Sequence, residues 1–140
     1  MKKILLALLF VPFIAFNQEE SSDKQANENI HWIVTVDIKD GYLDKLDGLI
    51  ERMKEYVKTS EPQTIHYDFY YNEDKNKLFI YECYPNNETA LRHMSSFSQY
   101  FEKPFSAAVE NGAIQVFGPV NETFRAKMEK YNVTYWPYKI

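Results

Sequence analysis

The sequence predicts an α+β domain with the ferredoxin-like, split β-α-β arrangement and an antiparallel sheet. Strand-like and helix-like segments follow one another in the order β-α-β-β-α-β over residues 30–120. Only a short polar stretch separates the two middle strands, as in a hairpin. The strands are apolar on both faces, whereas the helices can cover only one. We therefore expect a homodimer whose sheets pack into an α+β barrel.

The two ends of the chain are predicted to lie outside this domain. Residues 1–17 resemble a signal peptide, with basic Lys2 and Lys3 before an apolar run that is short for a membrane span. Residues 18–29 are almost free of apolar side chains and are expected to form a disordered spacer. Residues 121–140 are expected to add a C-terminal helix and strand. We expect an exported protein, periplasmic or secreted, with no stable membrane span after cleavage; an uncleaved anchor is the alternative.

The first strand and the first helix supply much of the predicted core. The strand, His31–Ile38, is apolar on nearly both faces, which is typical of a strand covered on both sides. Apolar residues three or four positions apart then form one stripe of an amphipathic helix: Leu43, Leu46, Leu49, Ile50, Met53, Tyr56 and Val57. We expect this helix to stop at Glu61-Pro62, because the residue before a proline avoids helical geometry.

An aromatic hairpin follows the helix. Its predicted strands are Thr64–Tyr71 and Leu78–Tyr84, joined by a turn over the polar residues 72–76. Pro85 ends the second strand, because proline has no N–H group for the hydrogen-bonded ladder. The hairpin leads directly into the next helix.

That helix carries His93. Asn86 or Asn87 can cap its N-terminus. On a helical wheel, His93 lies at the margin of a buried stripe made of Ala90, Leu91, Met94, Phe97 and Phe101. A histidine at that margin suits the mouth of a pocket, and it equally suits an ordinary half-buried side chain.

The last part of the domain is predicted from turn and cap signals. Pro104 is placed as the first residue of a short helix that Asn111-Gly112 would close. Ala113–Gly118 is the expected fourth strand, and Asn121 is expected to cap a final helix. The aromatic tail, residues 132–140, is expected to pair with a sheet edge, either of its own subunit or of another.

Several classes of function are disfavoured by what the sequence lacks. A net charge of −4 without a basic stripe argues against the binding of nucleic acid. His31, His66 and His93 lie on separate predicted elements, and Cys83 is the sole cysteine, so no metal site is predicted. No glycine-rich phosphate loop or dinucleotide fingerprint occurs, so no nucleotide or flavin cofactor is expected. We interpret Cys83 as a small buried apolar residue.

Three segments together resemble the antibiotic biosynthesis monooxygenase domain family. They are Glu-Pro-Gln-Thr-Ile-His-Tyr-Asp (61–68), Phe-Ile-Tyr-Glu-Cys-Tyr (79–84) and Asn-Glu-Thr-Ala-Leu-Arg-His-Met (87–94). Their order and spacing resemble those of the family, and the resemblance covers about residues 30–120. Gln63 stands where the family usually has glycine. The resemblance implies a dimeric α+β barrel and the oxidation of phenols or quinols by O2 without metal or flavin.

The resemblance also suggests roles for single residues. His93 matches the family's helix histidine and is expected to act as the base or to hydrogen-bond the substrate, and Glu82 matches the acidic residue at a strand end. For Glu82, a capping or interface carboxylate is the alternative interpretation. The expected substrate pocket is lined by His66, Tyr67, Tyr81 and Phe97. Haem-degrading relatives use a tryptophan in the helix that carries their haem-ligating histidine. Trp32 and Trp136 both lie outside the His93 helix, so the haem-degrading branch of the family is disfavoured.

Two hypotheses about function follow. The first is a cofactor-independent monooxygenase acting on a small quinol-like or phenolic aromatic molecule. The second is a non-catalytic dimer of the same fold that binds a small ligand or has a structural role. A buried polar partner for His93 would favour the enzyme, whereas a solvent-facing His93 would favour the second hypothesis.

Overall fold

The computed structural model describes residues 29–140, which form one mixed sheet with helices packed against it. The strands are β1 (Ile30–Ile38), β2 (His66–Tyr71), β3 (Lys77–Tyr84), β4 (Val109–Phe117) and β5 (Val133–Trp136). The helices are α1 (Leu43–Ser60), α2 (Asn87–Tyr100), α3 (Glu102–Ala108) and α4 (Glu122–Met128). Within residues 29–140, none of the helices is long and apolar enough to cross a membrane. The predicted signal peptide and, apart from Asn29, the predicted spacer lie outside the described residues.

The sheet has the strand order β2-β3-β1-β4-β5. Its first four strands pair in antiparallel fashion, which is the ferredoxin-like arrangement, and the predicted α+β fold class is confirmed. The expectation of a wholly antiparallel sheet needs one correction, because β5 pairs with β4 in parallel. The aromatic tail therefore occupies the edge of its own sheet.

Local sequence signals explain how α2 begins and how it is joined to α4. The Asn86 side chain accepts a hydrogen bond from the Thr89 N–H at 2.9 Å, so Asn86 is the cap of α2. The side chain of Asn87 instead forms hydrogen bonds with the segment that precedes α4. Its amide donates to the Pro119 carbonyl at 3.0 Å and accepts from the Asn121 N–H at 2.9 Å. Asn121 in turn caps α4, as predicted, by accepting from the Phe124 N–H.

Contrary to the prediction from the sequence, Asn111 and Gly112 do not close a short helix. Both residues lie inside β4, and the pairing register between β1 and β4 shifts there. Asn111 has a φ of +51°, and its side-chain amide donates to Asp37 at 2.9 Å. The pair therefore marks a bulge in a strand rather than the end of a helix, and β4 begins at Val109 instead of Ala113. Helix α3 likewise begins at Glu102, two residues before Pro104.

The two faces of the sheet have different surroundings. The inner face packs against the helices, and its buried side chains include Trp32, Val36, Leu78, Ile80 and Tyr84. The outer face carries the alternate residues of the same strands, of which Tyr70 is 57% exposed and Phe79 is 38% exposed. The site described next lies on the inner face.

Candidate functional site

His93 is the centre of a buried polar cluster. Helix α2 presses it against the inner face of the sheet, where it is 5% exposed. Its ring lies among the rings of Trp32, Tyr67 and Tyr84, with centroids 6.0, 5.1 and 5.2 Å away. The sequence placed His93 at the margin of the buried stripe; in the structure it lies inside, beside Ala90.

Glu61 is the first polar partner of His93. The histidine Nδ1 lies 2.7 Å from Glu61 Oε2, and both side chains are almost fully buried. Glu61 directly follows α1, and its N–H donates to the Val57 carbonyl at 2.9 Å. Pro62 then keeps Glu61 out of helical geometry, with φ −129° and ψ 58°. The chain thus turns at the end of α1 and carries the carboxylate to α2.

The environment of Glu61 favours its ionised form. Burial alone would raise the pKa of this carboxyl, but the hydrogen bond and charge of His93, together with smaller effects of Ser96 and Arg92, outweigh it, and the pKa of Glu61 is lowered. An ionised Glu61 can only accept a hydrogen bond from the imidazole, so it favours the tautomer with hydrogen on Nδ1. That tautomer leaves a lone pair on Nε2.

Glu82 lies on the other side of the imidazole. Its Oε2 is 3.5 Å from His93 Nε2 and accepts a hydrogen bond from the Tyr84 hydroxyl at 2.6 Å. Burial raises the pKa of Glu82, although His93, Tyr84 and the Trp32 indole N–H each favour the carboxylate. The two carboxyl groups are therefore shifted in opposite directions by their surroundings. Such a pair can divide the roles of proton acceptor and proton donor.

A cavity of about 420 Å³ opens beside this cluster. Its inner part is lined by the buried residues Trp32, Glu82 and His93 and by the half-buried rings of Tyr67 and Phe97. Its exposed part is lined by polar side chains of α2, α3 and the segment after α4. Aromatic and apolar walls with a few placed polar groups are typical of a small-molecule site.

The structure brings four of the six predicted site residues to this cavity. Two of them, Tyr67 and Phe97, are aromatic parts of its lining beside Glu82 and His93. The structure does not bring His66 and Tyr81 to this cavity. Both lie on the outer face of the sheet, because neighbouring residues of a strand point in opposite directions. There, the His31 Nδ1 atom lies 2.9 Å from the Tyr81 hydroxyl, and His66 lies beside Asp68.

Glu61 is the site residue that the sequence analysis missed. The Glu-Pro pair was used there only as a helix stop, although it opens the first of the three segments that carry the family resemblance. Among residues 29–140, no group of three or more histidine, cysteine, aspartate or glutamate side chains is arranged to hold a metal ion.

The fold is shared with solved structures of low sequence identity. The structure of MupZ from Pseudomonas fluorescens has a TM-score of 0.71 at 16% identity and covers 81% of this chain and 93% of its own. A provisionally named antibiotic biosynthesis monooxygenase from Bacteroides thetaiotaomicron has a TM-score of 0.57 at 17% identity, covering 64% of this chain and 87% of its own. A protein with the same provisional name from Caulobacter crescentus has a TM-score of 0.60 at 12% identity, covering 71% and 96%.

The chain has the fold of the antibiotic biosynthesis monooxygenase domain. The resemblance inferred from residues 61–94 is therefore confirmed at the level of the fold. No family model and no curated protein matches the sequence.

The opposite pKa shifts of the two carboxyl groups lead to a prediction about stability. Because the folded-state pKa of Glu82 is raised, its contribution to stability is present below its ordinary pKa of 4.5 and is lost as the pH rises through the folded-state value. Glu82→Gln keeps an acceptor for Tyr84 but never ionises. We expect its melting temperature to exceed that of the wild type by several degrees at pH 8, and the difference to shrink towards pH 4.

Glu51→Gln is the control for this experiment, because Glu51 is exposed on α1 and pairs only with Lys54. Its melting temperature should follow that of the wild type at every pH. A Glu82→Gln variant less stable than the wild type at pH 8 would show instead that Glu82 is held as a carboxylate by a charged His93.

Proposed function

We propose that this protein is a cofactor-independent monooxygenase that oxidises a small phenolic or quinol-like aromatic molecule with O2. The observation that carries the proposal is the buried Glu61–His93 pair beside an aromatic-walled cavity. It meets the condition stated from the sequence, since His93 has a buried polar partner and does not face solvent. The fold shared with proteins provisionally named as monooxygenases supports the same reading.

In this proposal His93 is the base. Glu61 holds hydrogen on Nδ1, so Nε2 is free to accept the proton of a phenol bound in the cavity. Nε2 lies 3.5 Å from Glu82 Oε2, and Glu82 lines the cavity, so in this proposal Nε2 is the ring nitrogen that meets the substrate. The resulting phenolate is electron-rich enough to pass one electron to O2, and the substrate itself is thus the reductant.

The remaining steps balance without a further reactant. The phenoxyl radical and superoxide combine to form a C–O bond, and the protonated His93 gives its proton to the peroxide anion, so a ring hydroperoxide results. The O–O bond then breaks together with the C–H bond of the same ring carbon, which leaves a quinone. The C–H proton passes to His93, one oxygen atom enters the product and the other leaves as water. The aromatic walls of Trp32, Tyr67 and Phe97 exclude bulk water from these intermediates.

Glu82 suits the complementary role. Burial favours its protonated form, and in that form it donates a hydrogen bond to an oxygen atom in the cavity. It therefore stabilises the charge that develops on the substrate oxygen and supplies the proton with which water leaves. The Tyr84 hydroxyl fixes the orientation of the carboxyl group.

Oxygen uptake by the purified chain with naphthol and naphthoquinol tests the proposal. Wild-type protein should raise uptake above the autoxidation rate, and His93→Gln should lower kcat about a hundredfold or more, as expected for the loss of a general base. The matched control is His66→Gln, because His66 lies on the outer face away from the cavity.

Each outcome has a clear meaning. Uptake that His93→Gln leaves unchanged would remove His93 from the mechanism. Wild-type uptake at the autoxidation rate with both compounds would contradict the monooxygenase and favour the alternative, a non-catalytic dimer that binds a small ligand.

We also propose that two copies associate through the outer face of the sheet. The support is a pair of exposed aromatic residues on that face, Tyr70 and Phe79, which lie opposite each other on β2 and β3 with their rings 6.1 Å apart. Trp136 is half exposed at the far edge and stacks on Phe117. Exposed apolar surface of this kind marks a contact site for another protein surface.

The homodimer is tested by measuring the molar mass of the protein by light scattering as it elutes from a size-exclusion column. Wild-type chain should have twice the mass of one chain, and Phe79→Lys should give the mass of a single chain, because a lysine ammonium is costly to bury. Tyr138→Lys is the control, since Tyr138 is an exposed aromatic residue of the tail. A wild-type mass of one chain at micromolar concentration would overturn the proposal.

A further inference from the structure

The chain beyond residue 120 contributes to the cavity. Five residues of this part of the chain line the cavity: Lys127 and Met128 at the end of α4, and Lys130, Tyr131 and Asn132 in the segment that leads from α4 to β5. Both ends of this segment are fixed. Met128 is buried in the core, and the Asn132 carbonyl accepts a hydrogen bond from the Ile114 N–H at 2.9 Å. Lys130 and Tyr131 lie between these two anchors.

Glu102 joins this segment to the helices on the other side of the cavity. One oxygen, Oε1, accepts from the Tyr131 hydroxyl at 2.9 Å and is paired with the Lys130 ammonium. The other, Oε2, accepts from the Ser98 hydroxyl of α2 at 2.6 Å. Glu102, Ser98, Lys130 and Tyr131 all line the cavity. One carboxylate therefore ties three parts of the chain together at the rim.

We propose that Glu102 is a positioning residue of the ligand site, which holds Lys130 and Tyr131 across the exposed end of the cavity and so controls entry to it. We call the Lys130 and Tyr131 side chains the gate. It is formed by side chains and not by a moving loop, since the flanking backbone is fixed at Met128 and Asn132. For a ligand to pass, the bonds of Lys130 and Tyr131 to Glu102 must open together. Three partners on one carboxylate make this opening less frequent than that of an isolated surface ion pair.

The charge state of Glu102 is stable. Hydrogen bonds from Lys130 and Ser98 lower its pKa to about 2, so the carboxylate persists at every pH at which the folded chain would be assayed. Salt is the variable to which the gate should respond, because Lys130 is half exposed and its attraction to Glu102 is screened by added ions.

Glu110 provides a matched control within the same cavity. It also lines the exposed part, but among the described residues it makes no ion pair or side-chain hydrogen bond. Glu102→Gln and Glu110→Gln each remove one negative charge from the rim. Only Glu102→Gln weakens the ion pair with Lys130 and the hydrogen bond from Tyr131.

The test is acrylamide quenching of Trp32 fluorescence. Trp32 lines the buried part of the cavity, so acrylamide that reaches it by way of the cavity has to pass the rim. The full chain carries Trp136→Phe as a background, which leaves Trp32 as the only tryptophan. We expect Glu102→Gln to raise the quenching rate constant about tenfold, corresponding to about 1.4 kcal/mol in the opening equilibrium. Glu110→Gln should leave it unchanged.

Two results would overturn the gate. One is an equal rate constant in the background chain and in both variants. The other is an equal increase in both variants, which would show an effect of rim charge alone. Salt gives a second readout, since added NaCl should raise quenching in the background chain and not in Glu102→Gln. The inference rests on the proposed function only for the identity of the ligand, and the quenching experiment contains neither substrate nor O2. Its failure is therefore distinguishable from a failure of oxygen uptake.

Discussion

The burial of one imidazole between two carboxyl groups is the constraint on which the site depends. An ionisable side chain is costly to bury unless it has polar partners, and His93 has Glu61 on Nδ1 and Glu82 near Nε2. Either carboxyl group buried alone would face the same cost. The cluster is therefore cooperative: each member is tolerated inside the core because the others are present. This arrangement also separates the functions of the two ring nitrogens.

Three features of the fold bring the cluster together. Pro62 ends α1 so that Glu61 lies just beyond its last turn and faces α2. The alternation of β3 places Glu82 and Tyr84 on the inner face, two residues apart and in contact with each other. The cap at Asn86 sets the start of α2, and seven residues later that helix carries His93 to the same point. The cavity then lies between this cluster and the segment that Glu102 holds at the rim.

Much of the fold could be predicted from local signals. The apolar periodicity of α1, the polar turn of the hairpin and the cap at Asn86 each depend on neighbouring residues, and the structure agrees with them. Asn111-Gly112 was misread because a bulge and a helix end use the same residue types at positive φ. Within the site, period-two alternation alone could not say which face of the hairpin meets the helices, so His66 and Tyr81 were placed with Tyr67. Glu61 was missed because its partner is 32 residues away in the chain, and only the packing of α1 against α2 brings the two together.

The most direct test of the account is the tautomer of His93, measured by nitrogen-15 NMR of the imidazole in the full chain at pH 8. We predict hydrogen on Nδ1 and a lone pair on Nε2 in the wild type. Glu61→Gln should lose this preference, because an amide can either accept from Nδ1 or donate to it. Glu82→Gln serves as the control and should retain the wild-type tautomer, since it leaves the Glu61–His93 bond in place. Hydrogen on Nε2 in the wild type, or the same tautomer in the wild type and Glu61→Gln, would contradict the claim that Glu61 prepares His93 to act as a base towards the cavity.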